Sequence, residues 1–173
     1  MAPPNIKNLN NLKMQLTKFA IILIIFLLNS NSFATKQIEE VNYFASLRSS
    51  ETNVRSGPGS NYPIKFSYKL RNIPVKIVSE YDNWYEIQDY EGEKGWVMQS
   101  LITKKRFLMT YSNNKIIDLY SKKNTNSKII YHLENYVIGE YIDCENIWCQ
   151  IKINEKKGWV LSKDLFGNNN IQI

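Results

Sequence analysis

The residues that could form a thiol–imidazole pair for nucleophilic catalysis are few: two cysteines, Cys144 and Cys149, and one histidine, His132. A cysteine hydrolase needs a thiolate with an imidazole base within hydrogen-bonding reach. Period-two alternation places Cys149 on the apolar face of its strand and Cys144 beside a hairpin, while His132 belongs to a different strand. The sequence also has no Gly-x-Ser-x-Gly elbow, no metal-ligand histidine pair and no phosphate-binding glycine loop. It therefore predicts a non-catalytic protein with no cofactor and no metal site.

The spacing of the two cysteines favours a structural role. Cys144 and Cys149 flank the residues Glu-Asn-Ile-Trp, a separation that suits a disulfide across the neck of a hairpin in an exported protein. Two buried free thiols are the alternative, because so short a loop requires favourable cross-strand geometry. We predict the disulfide.

The four tryptophans lie in two stretches of the chain that are built alike. Residues 82–102 read DNWYEIQDYEGEKGWVMQSLI, and residues 146–165 read NIWCQIKINEKKGWVLSKDL. In each stretch a Trp opens an alternating segment, a charged turn follows, and then comes Gly-Trp-Val. A repeat of this length, rich in β-branched and aromatic residues, predicts two small β domains in tandem. The paired tryptophans stand 63 to 64 residues apart: Trp84 with Trp148 and Trp96 with Trp159.

Alternating apolar and polar residues predict about five short strands in each copy. Residues 35–45 are expected to form a short polar lead-in, and residues 99–102 a single helical turn. About five strands in about 60 residues is the size of a small closed or half-closed barrel. The predicted fold class is therefore all-β: a signal-peptide helix followed by two tandem small barrels at 46–103 and 108–167. The strands are expected at 47–55, 64–70, 73–78, 84–90 and 96–98 in the first copy, and at 116–120, 128–133, 136–143, 148–153 and 158–161 in the second.

The same alternation predicts which side chains face each core. Tyr85 and Ile87 fall on one side of their strand, opposite Trp84. The apolar side of the corresponding strand in the second copy carries Cys149, Ile151 and Ile153. We therefore expect Trp84 and Trp148 on the wetter face. The other two tryptophans, each between a Gly and a Val, are expected to be at least partly packed into the barrels: Trp96 and Trp159.

The first 34 residues differ in character from the rest. Their only charges are lysines at positions 7, 13 and 18, and an apolar run of 10 residues follows at 19–28. A small-x-small triplet then ends at Ala34, which completes the pattern of a secretory signal peptide over residues 1–34, cleaved after Ala34. The apolar run is short of the roughly 20 residues that a membrane span needs. An uncleaved anchor is the alternative, and translation from Met14 would give a leader of ordinary length.

The charge pattern argues against a nucleic-acid-binding protein. The chain carries 22 basic and 16 acidic residues, and removing the three leader lysines leaves 19 against 16, a net charge of +3. The two signs are interspersed, whereas nucleic-acid binding favours a concentrated basic stripe. The one dense spot, Lys104-Lys105-Arg106, is interpreted as a solvated linker rather than a phosphate- or membrane-binding patch. We expect a secreted or periplasmic protein with no nucleic-acid partner and no membrane span after cleavage.

The run Asn53-Val54-Arg55-Ser56-Gly57-Pro58-Gly59-Ser60-Asn61-Tyr62, followed by Trp84 and Gly95-Trp96-Val97, resembles the bacterial SH3-like (SH3b) domain. Its continuation is similar to exported SH3-domain proteins of alphaproteobacteria. The resemblance covers residues 46–103 well, whereas 108–167 is divergent and lacks the Asn-Val-Arg and Gly-Pro elements. It implies a small barrel of five to seven strands that acts as a targeting or binding module. Relatives are often joined to cell-wall hydrolases and bind peptide parts of the envelope.

Two functions stay open on this basis. The first is binding of a cell-wall peptide or an extended protein segment through the loop 56–62 and Trp84, the best candidate for an exposed aromatic anchor, since flat rings lose little entropy on contact. The second is a structural or adaptor role, in which the barrels dock on a periplasmic protein partner without a peptide groove. Gly57-Pro58-Gly59 is expected to shape the loop, and Arg55 either ties it or presents a charge to a ligand. The candidate ligand-binding residues are Arg55, Tyr62, Tyr68, Trp84 and Tyr90.

Overall fold

The computed structural model describes residues 37–169 together with Lys18. The predicted signal peptide at 1–34, with its cleavage after Ala34, lies outside the described residues. Within 37–169, fourteen strands form two seven-stranded antiparallel sheets of the same strand order, β3-β2-β6-β5-β4-β1-β7 and β10-β9-β13-β12-β11-β8-β14. The expected all-β fold with two tandem SH3-like barrels is confirmed. In this part of the chain, no helix is long and apolar enough to cross a membrane.

The strands of the first barrel are β1 Glu39–Leu47, β2 Thr52–Arg55, β3 Ile64–Tyr68, β4 Pro74–Tyr81, β5 Trp84–Gln88, β6 Lys94–Met98 and β7 Ile102–Thr103. Those of the second are β8 Phe107–Thr110, β9 Ile117–Tyr120, β10 Ile129–Leu133, β11 Ile138–Glu145, β12 Trp148–Ile153, β13 Lys156–Leu161 and β14 Leu165–Phe166. A 3-10 turn precedes the last strand of each barrel, at Gln99–Leu101 and Ser162–Asp164. The first of these turns is the helical turn expected from the sequence.

The expected polar lead-in at 35–45 is wrong, because most of it belongs to β1. This strand pairs antiparallel with β4, placing Tyr43 opposite Ile77 and Ala45 opposite Val75. Its first residues, Glu39 and Glu40, are exposed and give the segment its polar character. Its last residues enter the core, where Leu47 is fully buried.

Each barrel has its own apolar core, and these cores follow the predicted alternation. Tyr85, Ile87 and Val97 belong to the first core. Cys149 and Ile151 belong to the second, against which Ile153 packs. Ile138 of the second barrel packs against the first core, so the two barrels share an apolar contact.

The tryptophans follow the prediction only in part. Trp96 is buried at 6% exposure, yet it lies on the strand face opposite the core residue Val97. Trp84 is half-buried, as is Trp159, which carries the Lys123 ammonium 4.5 Å from its ring centroid. The expectation of a wet Trp148 is wrong, since it is only 9% exposed.

The ring of Tyr120 explains the burial of Trp148. It meets the indole edge-on at a centroid distance of 5.6 Å. Tyr120 pairs with Trp159 in the second sheet as Arg55 pairs with Trp96 in the first. An aromatic ring therefore stands in the second barrel where the first has a guanidinium.

The segment between the barrels is fixed by contacts to both. The buried Ser46 hydroxyl accepts a hydrogen bond from the Phe107 amide at 3.1 Å. The guanidinium of Arg106 donates to the Gly167 carbonyl at 2.7 Å and lies 4.3 Å from the ring centroid of Tyr141. The interpretation of Lys104-Lys105-Arg106 as a solvated linker is therefore wrong for Arg106.

A disulfide joins Cys144 and Cys149, which are directly paired residues of β11 and β12. The register gives the corresponding pair in the first barrel as Glu80 and Tyr85. Glu80 there accepts a hydrogen bond from the Tyr43 hydroxyl at 2.9 Å. The second hairpin thus has a covalent bond between its paired residues, whereas Glu80 of the first hairpin bonds a side chain of β1.

We predict that reduction of this disulfide lowers the free energy of unfolding by about 2 kcal/mol, because the bond restricts a short loop of the unfolded chain. Denaturant unfolding followed by tryptophan fluorescence, with and without a thiol reductant, measures the change. The double variant Cys144→Ala/Cys149→Ala is the control and should not respond to reductant. Identical unfolding midpoints of the unmodified protein under both conditions would contradict the prediction.

Candidate ligand-binding groove

Hydrogen bonds and a ring contact hold the loop 56–62 together. Arg55 donates from Nη1 to the Tyr62 carbonyl at 2.7 Å, and the Ser56 amide donates to the Pro63 carbonyl at 3.0 Å. Arg55 therefore ties the loop, through a backbone carbonyl. The Tyr62 ring lies against Gly57, where a Cβ would collide with it, so this glycine is required by close approach. The loop is a structural element of the first barrel.

A large concave surface of the described residues lies between the two barrels. This inter-barrel groove has a volume of about 1460 Å³, and its walls come from β1 and the β5–β6 hairpin on one side and from the second barrel on the other. Tyr90 belongs to the hairpin, whereas Tyr111 and Tyr136 belong to the second barrel. A groove of this kind can bind an extended ligand between its walls, as peptide-binding grooves do.

Three tyrosines form an aromatic patch in the groove. The Tyr90 ring centroid lies 5.2 Å from that of Tyr111 and 5.4 Å from that of Tyr136. The rings are tilted by 59° and 55°, and Phe166 meets Tyr90 at 6.4 Å. Tyr111 is 39% and Tyr136 is 53% exposed, so the patch offers ring surface to solvent. We call Tyr90, Tyr111 and Tyr136 the tyrosine patch.

Asp89 positions Tyr90 by organising the hairpin. Its Oδ1 accepts the backbone amides of Glu91 and Glu93 at 3.0 and 2.9 Å, and its Oδ2 accepts the Tyr68 hydroxyl at 2.6 Å. Asp89 is only 6% exposed. The Asp89 carboxylate thus stabilises the turn that carries Tyr90, and the Tyr68 hydroxyl stabilises that carboxylate.

A second buried carboxylate organises the opposite wall. Asp164 accepts the Ser112 hydroxyl at 2.6 Å, while its backbone carbonyl accepts the Tyr111 amide at 3.0 Å. The Asn135 side chain bonds both the amide and the carbonyl of Ser112, at 2.9 and 2.8 Å. These contacts fix the segments that carry Tyr111 and Tyr136 against each other.

Tyr136 has an unusual backbone. Its φ of 69° lies in the left-handed region, which large side chains rarely adopt. The conformation is held by a hydrogen bond from the Tyr136 amide to the Thr110 carbonyl at 2.7 Å. Strain of this kind concentrates at functional sites.

Burial raises the pKa of several tyrosines. For Tyr68 the first cause is desolvation and the second is the hydrogen bond to Asp89. Tyr43 behaves likewise, with Glu80 as its partner. The pKa of Tyr90 is also raised, mainly by burial and then by Glu91. All three hydroxyls are therefore neutral donors at physiological pH.

The five candidate residues from the sequence fall in different places. Tyr90 lines the groove, and Tyr68 bonds the carboxylate that shapes its hairpin. Arg55 and the 48% exposed Tyr62 lie at the loop 56–62, and the half-buried Trp84 shares the strand face of Trp96. Sequence reasoning missed Tyr111 and Tyr136, although a register comparison of the two copies could have drawn attention to Tyr136.

The groups considered for catalysis are engaged elsewhere. Within the described residues no cysteine is free, and His132 Nδ1 lies 2.7 Å from Asp118 Oδ1. The corresponding pair in the first barrel is Ser67 and Asn53, bonded at 2.6 Å. In each barrel, therefore, the side chains at these two positions link neighbouring strands, and His132 is one of them in the second barrel. Residues 37–169 also hold no group of three or more His, Cys, Asp or Glu that could bind a metal ion.

The sequence profile of the family described as bacterial SH3 domain matches the chain twice, over residues 48–104 and 114–167. The second copy matches although it lacks the Asn-Val-Arg and Gly-Pro elements. The similarity to alphaproteobacterial proteins in particular stays a prediction.

A relative and two solved structures resemble the chain in part. The Bacillus subtilis (strain 168) protein YrvJ, named as a candidate N-acetylmuramoyl-L-alanine amidase, is 28% identical over 156 residues. This alignment covers 84% of the chain and 30% of YrvJ, so the chain spans less than a third of that protein. NlpC2 from Trichomonas vaginalis is 12% identical with a TM-score of 0.32, covering 75% of this chain and 49% of that one. An NlpC/P60 family protein from Bacillus cereus ATCC 10987 is 13% identical with a TM-score of 0.32, covering 71% and 55%.

We predict that the stability of Tyr68→Phe falls less steeply at alkaline pH than that of the unmodified protein. Because the pKa of Tyr68 is raised in the folded state, its contribution is fully present below the pKa of an unfolded tyrosine, about 10, and is lost as the pH rises through the folded value. The variant should cost about 1 kcal/mol at neutral pH, through the lost hydrogen bond, and show a flatter decline above about pH 10. Denaturant unfolding from pH 7 to 11 measures both effects. Parallel pH profiles of the two proteins would refute the assignment.

Proposed function

The chain belongs to the bacterial SH3 domain family, and on that premise we propose that it is an exported, non-catalytic protein that binds peptidoglycan in the inter-barrel groove. The tyrosine patch is the observation that carries this proposal. Aromatic rings provide large contact areas at low entropic cost, and the exposed fractions of Tyr111 and Tyr136 leave ring surface for a ligand. An extended cell-wall peptide or protein segment is the kind of chain that such a groove accommodates.

Three further observations support the proposal. The partial likeness to YrvJ connects the barrels with a protein named for an activity on the cell wall. The disulfide suits an oxidising compartment outside the cytoplasm, in agreement with the predicted leader. A non-catalytic role is supported because both cysteines are in that disulfide and His132 links two strands.

We predict that Tyr111→Ala reduces binding to purified peptidoglycan sacculi by about tenfold or more, as expected for removal of an aromatic anchor. Its backbone hydrogen bond to Asp164 stays available, so the fold should persist. Co-sedimentation of the mature chain with sacculi over a range of protein concentrations gives the affinity, and circular dichroism checks the fold.

Tyr62→Ala is the matched control, because it removes an equally exposed tyrosine from the loop outside the groove. It should bind like the unmodified protein, as should Trp84→Ala if it remains folded. Loss of binding in these two variants, with Tyr111→Ala unaffected, would move the site to the loop and refute the groove. Failure of the unmodified chain to bind sacculi, combined with capture of one defined periplasmic protein, would instead establish the adaptor function.

A further inference from the structure

The two barrels share a backbone frame, which allows their residues to be compared position by position. The amide of Asn72 donates to the Leu47 carbonyl at 2.8 Å, as the amide of Tyr136 donates to that of Thr110. Asn72 and Tyr136 also have nearly the same φ, 66° and 69°. Asparagine tolerates this conformation well, whereas tyrosine does not. The second barrel thus carries a large ring where local backbone preference favours asparagine.

Neighbouring positions differ in the same direction. The Arg48 amide bonds the Leu101 carbonyl at 2.7 Å, and the Tyr111 amide bonds the Asp164 carbonyl at 3.0 Å. Tyr111 therefore replaces Arg48, and Asp164 replaces Leu101. The register with β1 and β8 likewise aligns Phe166 with Thr103. All of these differences fall in the wall of the inter-barrel groove. They add aromatic rings there, and Asp164 holds the segment that carries one of these rings, Tyr111.

The charges of the groove do not favour a charged ligand. Its lining holds two lysines and three acids. Asp89 and Asp164 are buried and accept hydrogen bonds from the protein itself. Lys76, Glu91 and Lys163 are left nearer to solvent and sum to one positive charge, while all five groups together sum to one negative charge. The tyrosine patch is neutral. A phosphorylated or strongly cationic ligand would find no complementary field here.

Amide side chains surround the patch. Four exposed asparagines line the groove: Asn42, Asn113, Asn114 and Asn169. Each carries both donor and acceptor atoms, which suits a ligand rich in hydroxyl and acetamido groups. The ring faces of the tyrosines carry negative quadrupole density, which attracts the C–H groups on the apolar face of a pyranose. Aromatic faces with amide groups around them therefore match a neutral sugar better than a charged chain.

We propose that the tyrosine patch is a saccharide subsite that binds the neutral amino-sugar chain of peptidoglycan, with pyranose rings stacked on Tyr111 and Tyr136. This inference rests on the proposed function and assigns the glycan, in addition to any peptide, to the same groove. Tyr136 lines the groove, where its ring contacts that of Tyr90. The Asp164–Ser112 bond and the Asn135 contacts hold Tyr111 beside it.

The test uses the mature chain and a soluble β-1,4-linked N-acetylglucosamine oligomer as the probe, titrated by calorimetry. The unmodified protein should bind with an affinity that changes less than about twofold between about 50 mM and about 500 mM salt, since neutral ligands are not screened. Tyr136→Asn should weaken binding by about tenfold or more. Asparagine is the residue that the first barrel has at this position, Asn72, and it tolerates the positive φ better than tyrosine does. The melting temperature should therefore be unchanged or higher.

Tyr62→Asn is the matched control and should bind the oligomer like the unmodified protein. Equal binding by Tyr136→Asn would overturn the assignment. Displacement of the protein from sacculi by soluble stem peptides, but not by the oligomer, would also overturn it. The groove would then bind only peptide, and the proposed function would still stand. Conversely, oligomer binding that depends on Tyr136 without any binding to sacculi would support the subsite and refute the proposed function.

Discussion

The contact between the two barrels is the constraint on which the groove depends. A buried serine hydroxyl of the first barrel accepts a hydrogen bond from the amide at the start of β8, and Arg106, just before β8, donates to the Gly167 carbonyl just after β14. Phe44 and Phe166 meet edge to face at 5.3 Å beside these bonds. Losing the hydrogen bond from the β8 amide to the fully buried Ser46 would cost about 1 to 3 kcal/mol. The two barrels are therefore held in one arrangement, and rings from different barrels can stay in contact.

Local pattern was sufficient to predict the barrels. Alternation located most strands and identified the core positions Tyr85, Ile87, Cys149 and Ile151, because one face of each strand must be buried. It failed at β1, because the two glutamates at the start of this strand make the segment look polar although its last residues are apolar and buried. It also failed at Trp148, since the ring that covers it comes from Tyr120, a residue on another strand.

The candidate site was much less predictable than the fold. Tyr90 and Tyr136 are 46 residues apart in the sequence and meet only because the barrels are docked. Tyr68 attracted attention as an aromatic residue, but its contribution is a hydrogen bond to Asp89, which no spacing rule reveals. The positive φ of Tyr136 is equally invisible in the sequence, since tyrosine is among the residues least expected to adopt it. The groove is a product of tertiary packing.

A binding groove built from both barrels has a consequence for the valency of the chain. Two separate barrels with one site each could engage two positions on a polymer at once and gain avidity through their linkage. Under the proposed function, the first barrel contributes Tyr90 to a site that the second barrel completes. Residues 37–169 of one chain would then bind a polymer through one groove despite their duplicated architecture. A single chain binding in this way would coat a polymer strand without cross-linking it to another.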